Sequence, residues 1–460
     1  MIYRKKTEIG LILLGGIVLC LVAFQNNFPL VYSDTGDYIG SAFGRYIPID
    51  RPIFYGLFIR LVSLQRSLWL VICAQGLLTS YITFETFTIF FSGNRRNAYF
   101  FASICLLTLF TGISHNVSIL LPDIFCPVSA LCFINILLNR SLSKIRMAAI
   151  AALMLVSMLF AYSNAIVITI LFALVLFMLG TIKLCARRGT AIAKGRLVLC
   201  SSLLAGFFIF TPAANYLFGK KFIISEGSHV FMMNHLLETG ILEDYLNREC
   251  GKKNYALCRY KDNLDTAFMW SGNSPLYKMG GWLAVKQEYD SIIYDIFTTP
   301  RYDLMILQRF TEYAFIQYFT FGIPGAHSWG NGSPLIQIKE YYKPLGRDYC
   351  ASLQYHSWLN FTATSEIQNI LVMVSLTFLI LVLLTGAWRN MLCSTLKWFS
   401  VILIAYTVIN AAVCANFSTL NERFQDRLVW LLPLTAFFVA EHLLRRDCSG
   451  NPNKRLSLHR

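Results

Sequence analysis

Residues 197–218 read LVLCSSLLAGFFIFTPAANYLF, a run of 22 residues without one charge. A helix needs roughly 20 mostly apolar residues to cross about 30 Å of hydrocarbon. This run is long enough. Ahead of it stand Lys183, Arg187, Arg188, Lys194 and Arg196. Behind it, from Gly219 to Ser365, come 147 residues that hold only one further long apolar stretch, and that stretch is interrupted by charge. A basic flank, a span and then a long excursion predict a membrane helix followed by a large outer loop.

Comparable runs lie on both sides. The sequence predicts ten spans, at about 9–24, 67–91, 98–113, 116–138, 147–162, 165–181, 197–218, 367–388, 395–415 and 428–444. Composition agrees. Of 460 residues 56% are hydrophobic and 14% charged, whereas a soluble domain carries about 25% charged residues. The 36 Phe and 23 Tyr exclude disorder. Thirteen Cys are too few for a disulfide scaffold.

The net charge of +15 would suggest nucleic acid in a soluble protein. Placed along the chain, it loses that meaning. With a cytoplasmic N-terminus the inner segments hold Arg4, Lys5, Lys6, Arg95, Arg96, Arg140, Lys144, Arg146, the five basic residues before 197, Arg389, Lys397 and the basic tail. That is 20 basic residues against four acids, Glu8, Glu85, Glu441 and Asp447. The rest of the chain has 20 basic residues and 21 acids. This is the positive-inside pattern, so no nucleic-acid partner is expected. The first span follows basic residues like a signal peptide, but no small-residue cleavage site succeeds it.

The expected fold is an all-α polytopic membrane protein of about ten helices. Residues 1–218 form a seven-helix module with an acidic first outer loop at 25–66. Residues 219–365 form a large mixed loop domain outside the membrane, 366–444 three further helices, and 445–460 a basic cytoplasmic tail. Within the loop domain, Leu304 to Ile323 is apolar but interrupted by Arg309 and Glu312. It is expected to lie on the membrane or against the bundle. The stretch Ile53 to Leu64 suits a helix in the interface. Cys250 and Cys258 flank Gly251-Lys252-Lys253-Asn254 and are candidates for a disulfide in an oxidising compartment. The expected location is a bacterial inner (plasma) membrane, with both termini cytoplasmic and the loop domain periplasmic or extracellular.

Candidate chemistry gathers at the outer side. Asp34 and Asp37 sit in Tyr32-Ser33-Asp34-Thr35-Gly36-Asp37-Tyr38 and share a face if helical. Asp123 follows Pro122 inside an apolar run, with His115 and Asn116 nearby. A carboxylate there needs a partner or a polar cavity, or else it only caps a helix. Arg423 and Arg427 lie in Asn421-Glu422-Arg423-Phe424-Gln425-Asp426-Arg427. Arginine forks bind phosphate oxygens, and pairing with Glu422 and Asp426 is the local alternative. The sequence has no Walker A loop, Rossmann fingerprint or GxSxG.

This arrangement resembles the GT-C class of membrane glycosyltransferases, such as protein O-mannosyltransferases and lipid A aminoarabinose transferases. An acidic motif in the first outer loop, Pro122-Asp123 in the second and a large segment after the seventh span carry the likeness. Arg423 to Pro433 is similar to the Arg-aromatic…Pro pattern of their last span. The usual adjacent acidic pair is here three residues apart, which leaves open which of Asp34 and Asp37 is equivalent. The resemblance implies a sugar on a polyprenyl phosphate as donor, and a lipid, glycan or protein as acceptor. It implies Asp34 as general base, with Asp37 or Asp123 orienting the acceptor or holding a divalent cation. Arg423, Arg427 and Arg51 would meet the leaving phosphate, and Tyr38 and His115 would line the site. An O-antigen polymerase or ligase, or a lipid or solute transporter, are the alternatives from other classes.

Overall fold

The computed structural model describes residues 2–186, 192–264 and 267–447. Arg187 and Arg188, and the tail from residue 448 onward, lie outside the described residues. The chain is helical over 75% of its length and, among the described residues, contains no strand. The Gly-, Asn- and Trp-rich middle of the expected mixed domain is therefore made of short helices and turns.

The first half holds α1 (Ile2–Leu19), α2 (Leu21–Asn26), α3 (Ser33–Gly44), α4 (Phe54–Ser63), α5 (Trp69–Phe90) and α6 (Gly93–Phe110). These are followed by α7 (Ile113–Ser118), a single 3-10 turn at Pro122–Ile124, α8 (Phe125–Leu138), α9 (Lys144–Phe160), α10 (Tyr162–Ala186) and α11 (Lys194–Gly219). The insert holds α12 (Ser228–Glu238), α13 (Ile241–Glu249), α14 (Pro275–Lys278), α15 (Lys286–Thr298), α16 (Asp303–Phe319), α17 (Ser333–Tyr341) and α18 (Leu345–Cys350). The chain ends with α19 (Thr362–Leu384), α20 (Ala387–Asn390), α21 (Ser394–Phe417), α22 (Glu422–Val429) and α23 (Leu431–Asp447).

Among the described residues, six segments are long and apolar enough to cross a membrane: 69–90, 162–181, 194–219, 362–384, 394–417 and 422–445. All ten expected segments are largely helical, but the other four are shorter, more charged or broken. The segment expected at 116–138 is the clearest departure. Helix stops at Ser118 and resumes only at Pro122. The physical reason is visible in the backbone bonding. Gln75 donates to the carbonyls of Val117 and Ile119 at 2.8 and 3.0 Å. Leu30 pairs with this stretch from the other side, donating to Ser118 O and accepting from Leu120 N, each at 2.9 Å. Side chain and strand-like bridge thus replace the helical ladder. Non-helical backbone inside a bundle is tolerated when such partners exist.

The insert divides between a core of its own and the core of the bundle. Val230, Leu242, Tyr289, Ile296 and Tyr302 belong to a core of their own. The later insert residues Leu335, Ile338 and Tyr349 join the main core of the bundle. Cys250 and Cys258 are disulfide-bonded within the first of these halves. Helix α16, the interrupted apolar stretch, packs along α21.

Ion pairs sort by end. Glu8 pairs with Arg96, Glu85 with Arg146 and Glu441 with Arg445. All three acids are those assigned above to the basic side. The remaining network lies at the opposite end, where α3 meets the insert.

Candidate functional site

Helix α3 starts at Ser33 because Tyr32 closes its first turn. The Tyr32 amide donates to Thr35 Oγ1 at 2.9 Å, and the Thr35 amide donates back to Tyr32 O at 3.0 Å. Asp34 therefore sits in the first turn, where the helix dipole favours a carboxylate. On the opposite side α3 lies against α17. A Cβ at Gly36 would collide with both the side chain and the backbone of Ser333, so only glycine permits this approach.

Helix α22 brings the arginines. Asn421 caps it, accepting from the Arg423 amide at 3.0 Å. Arg423 and Arg427 are four residues apart and share a face. The Arg423 guanidinium is 3.1 Å from Asp34 Oδ2, and its Nε is 3.8 Å from Asp123 Oδ2. Arg427 donates to Asp123 Oδ1 at 3.0 Å and to Asn410 Oδ1 at 2.9 Å. Arg51 closes the other side. It is 3.2 Å from Asp34 Oδ1, 2.5 Å from Asp50 Oδ2 and 4.0 Å from Asp37 Oδ2. The rings of Tyr38 and Tyr32 lie under Arg51 and Arg423, 5.1 and 4.7 Å from centroid to guanidinium.

The sequence candidates Asp34, Asp37, Asp123, Arg51, Arg423, Arg427 and Tyr38 thus form one connected group. The arginines pair across the chain with Asp34 and Asp123 and not with their neighbours Glu422 and Asp426. Asp123 acts as an ion-pair partner and accepts no cap bond from its own helix start. Asp426 turns to the other face of α22. It accepts from Asn116 Nδ2 at 2.7 Å and from Gln368 Nε2 at 2.9 Å, with His115 Nδ1 at 3.9 Å. Burial pulls His115 down to about 4, against the opposing pull of Asp123. It is therefore neutral at ordinary pH. A Cβ at Gly112 would strike the Asp426 carboxylate, which explains the glycine there.

The two acids of α3 differ in kind. Burial alone would raise Asp34, but the charges of Arg423 and Arg51 and their hydrogen bonds outweigh it and hold the carboxyl below its usual range. Asp37 is 52% exposed at the side chain. Its partial burial pushes it up, opposed by Arg51 and assisted by the charges of Asp50 and Asp34. Asp34 is committed to two guanidinium groups, while Asp37 is free to take a proton.

Donor capacity remains unused. Nε of Arg423, Nε of Arg427 and Nδ1 of His115 are buried without hydrogen-bond partners. Buried polar groups of this kind call for an explanation, such as an ordered water, an ion or a catalytic role. Val31, Tyr32, His115, Pro324, Trp329 and Arg423 line a crevice here. It has room for about one water. For a divalent cation the fit is poor. No three His, Cys, Asp or Glu side chains converge among the described residues. Asp34, Asp37 and Asp50 instead share the Arg51 guanidinium. Cys250 and Cys258 belong to the separate insert core and lie outside this group.

Sequence reasoning passed over Asp50, Gln368, Gln75 and Asn410. The last two had a usable signal. Each is a lone amide inside an apolar span, where an unsatisfied polar group is costly.

No protein-family model, curated protein or solved structure matches this chain.

Proposed function

We propose that this chain is a membrane glycosyltransferase. It moves a sugar from a polyprenyl-phosphate donor to a lipid, glycan or protein acceptor at the outer face of a bacterial inner membrane. The insert end faces outward and both termini face the cytoplasm. The positive-inside pattern supports this orientation, as does a disulfide in the insert.

One observation carries the reading: a connected network runs from the buried Arg427 and Arg423 through Asp123, Asp34 and Arg51 to the half-exposed Asp37. The acceptor oxygen attacks C1 of the sugar. Its proton passes to Asp37, the general base. The bond from C1 to the phosphate oxygen breaks, and its electron pair leaves with the polyprenyl phosphate. Arg423 and Arg427 meet the charge that develops there. Asp34 and Asp123 hold both guanidinium groups in place. This reading places the base at Asp37 and not at Asp34, because the Asp34 carboxylate is ion-paired through both oxygens.

The test is release of polyprenyl phosphate from extracted lipid-linked sugars by the protein in proteoliposomes. Release with sugar transfer to an acceptor is the expected result. Movement of the lipid-linked sugar across the bilayer with no covalent product would instead identify a flippase and end this reading.

A further inference from the structure

Helix α16 runs antiparallel to α21. The Phe310 carbonyl accepts from Asn416 Nδ2 at 3.2 Å, near the end of α21. Eight residues later Tyr318 lies beside Thr407, nine residues back along α21. At 1.5 Å per residue α16 descends about 12 Å beside a membrane-crossing helix. The chain then turns. Phe321 packs against Val372 of α19, Val429 of α22 and Leu432 of α23. Its carbonyl accepts from Gln368 Nε2 at 2.8 Å, and the Ile323 amide donates to Ser365 Oγ at 3.0 Å. From 321 to 323 the chain therefore climbs back along α19.

The exposed face of α16 changes character on the way down. Down to the level where α21 ends it is mixed: Leu304, Leu307, Gln308, Thr311 and Glu312. Below that level it holds Phe315, Ile316 and Phe319, at 66, 42 and 45% exposure. Val408 on α21, and Ile370 and Val374 on α19, are exposed apolar residues near the same depth. The polar-to-apolar boundary on α16 thus falls where a membrane surface would fall on α21.

We propose that residues 303–325 form a re-entrant element whose lower face, Phe315, Ile316 and Phe319, lies against lipid hydrocarbon of the adjoining leaflet. The occupant is lipid because flanking helices at that depth are themselves candidate membrane spans. The turn at 320–325 is non-helical, and such backbone survives at membrane depth only when protein groups satisfy it. Gln368 and Ser365 do so. The inference rests on α19 and α21 crossing a membrane and does not need the sugar-transfer reading. The sequence left this stretch either on the membrane or against the bundle; it packs along α21, and the proposal adds lipid on its lower face.

The experiment places benzoylphenylalanine at 308, 315 or 319 of the full chain, in nanodiscs of phosphatidylethanolamine and phosphatidylglycerol. Phospholipid adducts at 315 and 319 should exceed those at 308 at least fivefold. Equal yields at all three positions would overturn the proposal. Hydroxyl-radical footprinting of the unmodified chain in the same nanodiscs guards against misfolded variants. Phe315 and Phe319 should be oxidised far less than Leu304 and Leu307, and equal oxidation would also overturn it. Lipid adducts without any sugar transfer would leave this element standing while removing the proposed activity.

Discussion

The two ends of the bundle use the same residue types to different effect. At the basic end three acids each meet one base: Glu8 with Arg96, Glu85 with Arg146 and Glu441 with Arg445. At the insert end Asp34, Asp37, Asp50 and Asp123 share Arg51, Arg423 and Arg427. Asp426 is held by amides alone. A one-to-one pair fastens two helices and is then spent. A shared network leaves some carboxylate and some guanidinium capacity uncommitted, and uncommitted capacity is what chemistry requires.

The comparison breaks most readily at Arg427. Arg427→Ala leaves the buried Asp123 with only Arg423, 3.8 Å away, and should cost about 3 kcal/mol, the lower end for breaking a buried pair. Thermal unfolding in detergent should show the loss, together with loss of transfer. Arg445→Ala at the other end should change stability by at most about 1 kcal/mol, since that pair is part-exposed. Equal effects would dissolve the distinction between the ends.

Asp37→Asn sharpens it next. Transfer should fall about 100-fold, the lower range for loss of a general base, with unfolding unchanged because the side chain is half exposed. A larger effect from Asp34→Asn accompanied by normal stability would return the base to Asp34. The pH profile separates the two acids further. Asp37 is raised in the fold, so its base form is lost as pH falls through a value above 3.8, and the rate should decline there. Asp34 is lowered, so its stabilising ion pairs are complete above 3.8 and are lost only as pH falls below that value. Activity should therefore vanish before the fold does, which a rate profile paired with unfolding scans would detect. Smaller still is Gly36→Ala. The added methyl overpacks the contact with Ser333 and should cost about 1–3 kcal/mol, measured by unfolding and by proteolysis of the insert.

Much of this was legible in the sequence. Hydropathy located the helices, and charge asymmetry grouped the acids Glu8, Glu85 and Glu441 that the structure pairs at one end. The residues Asp34, Asp123 and Arg423 stood out as charges beside apolar runs. Their mutual contacts were not legible, because they depend on how α22 is rotated against α3. The break at 119–121 was also hidden. Val117 to Leu121 is as apolar as any helix, and the break depends on a distant amide, Gln75. Asp426 looked like a local partner for arginine, and only the turn of α22 sends it to Asn116 and Gln368.

The pair between Asp34 and Arg423 joins residues 389 positions apart. Translation at about 5–20 residues per second separates their emergence by roughly 20–80 s. Throughout that interval Asp34 lacks one of its two cations, and Asp123 lacks both of its own. The charge cluster is completed only when α22 has arrived. A chain cut short before it would carry Asp123 without either of its cations, so the same contact that arms the site also reports that α22 has been made.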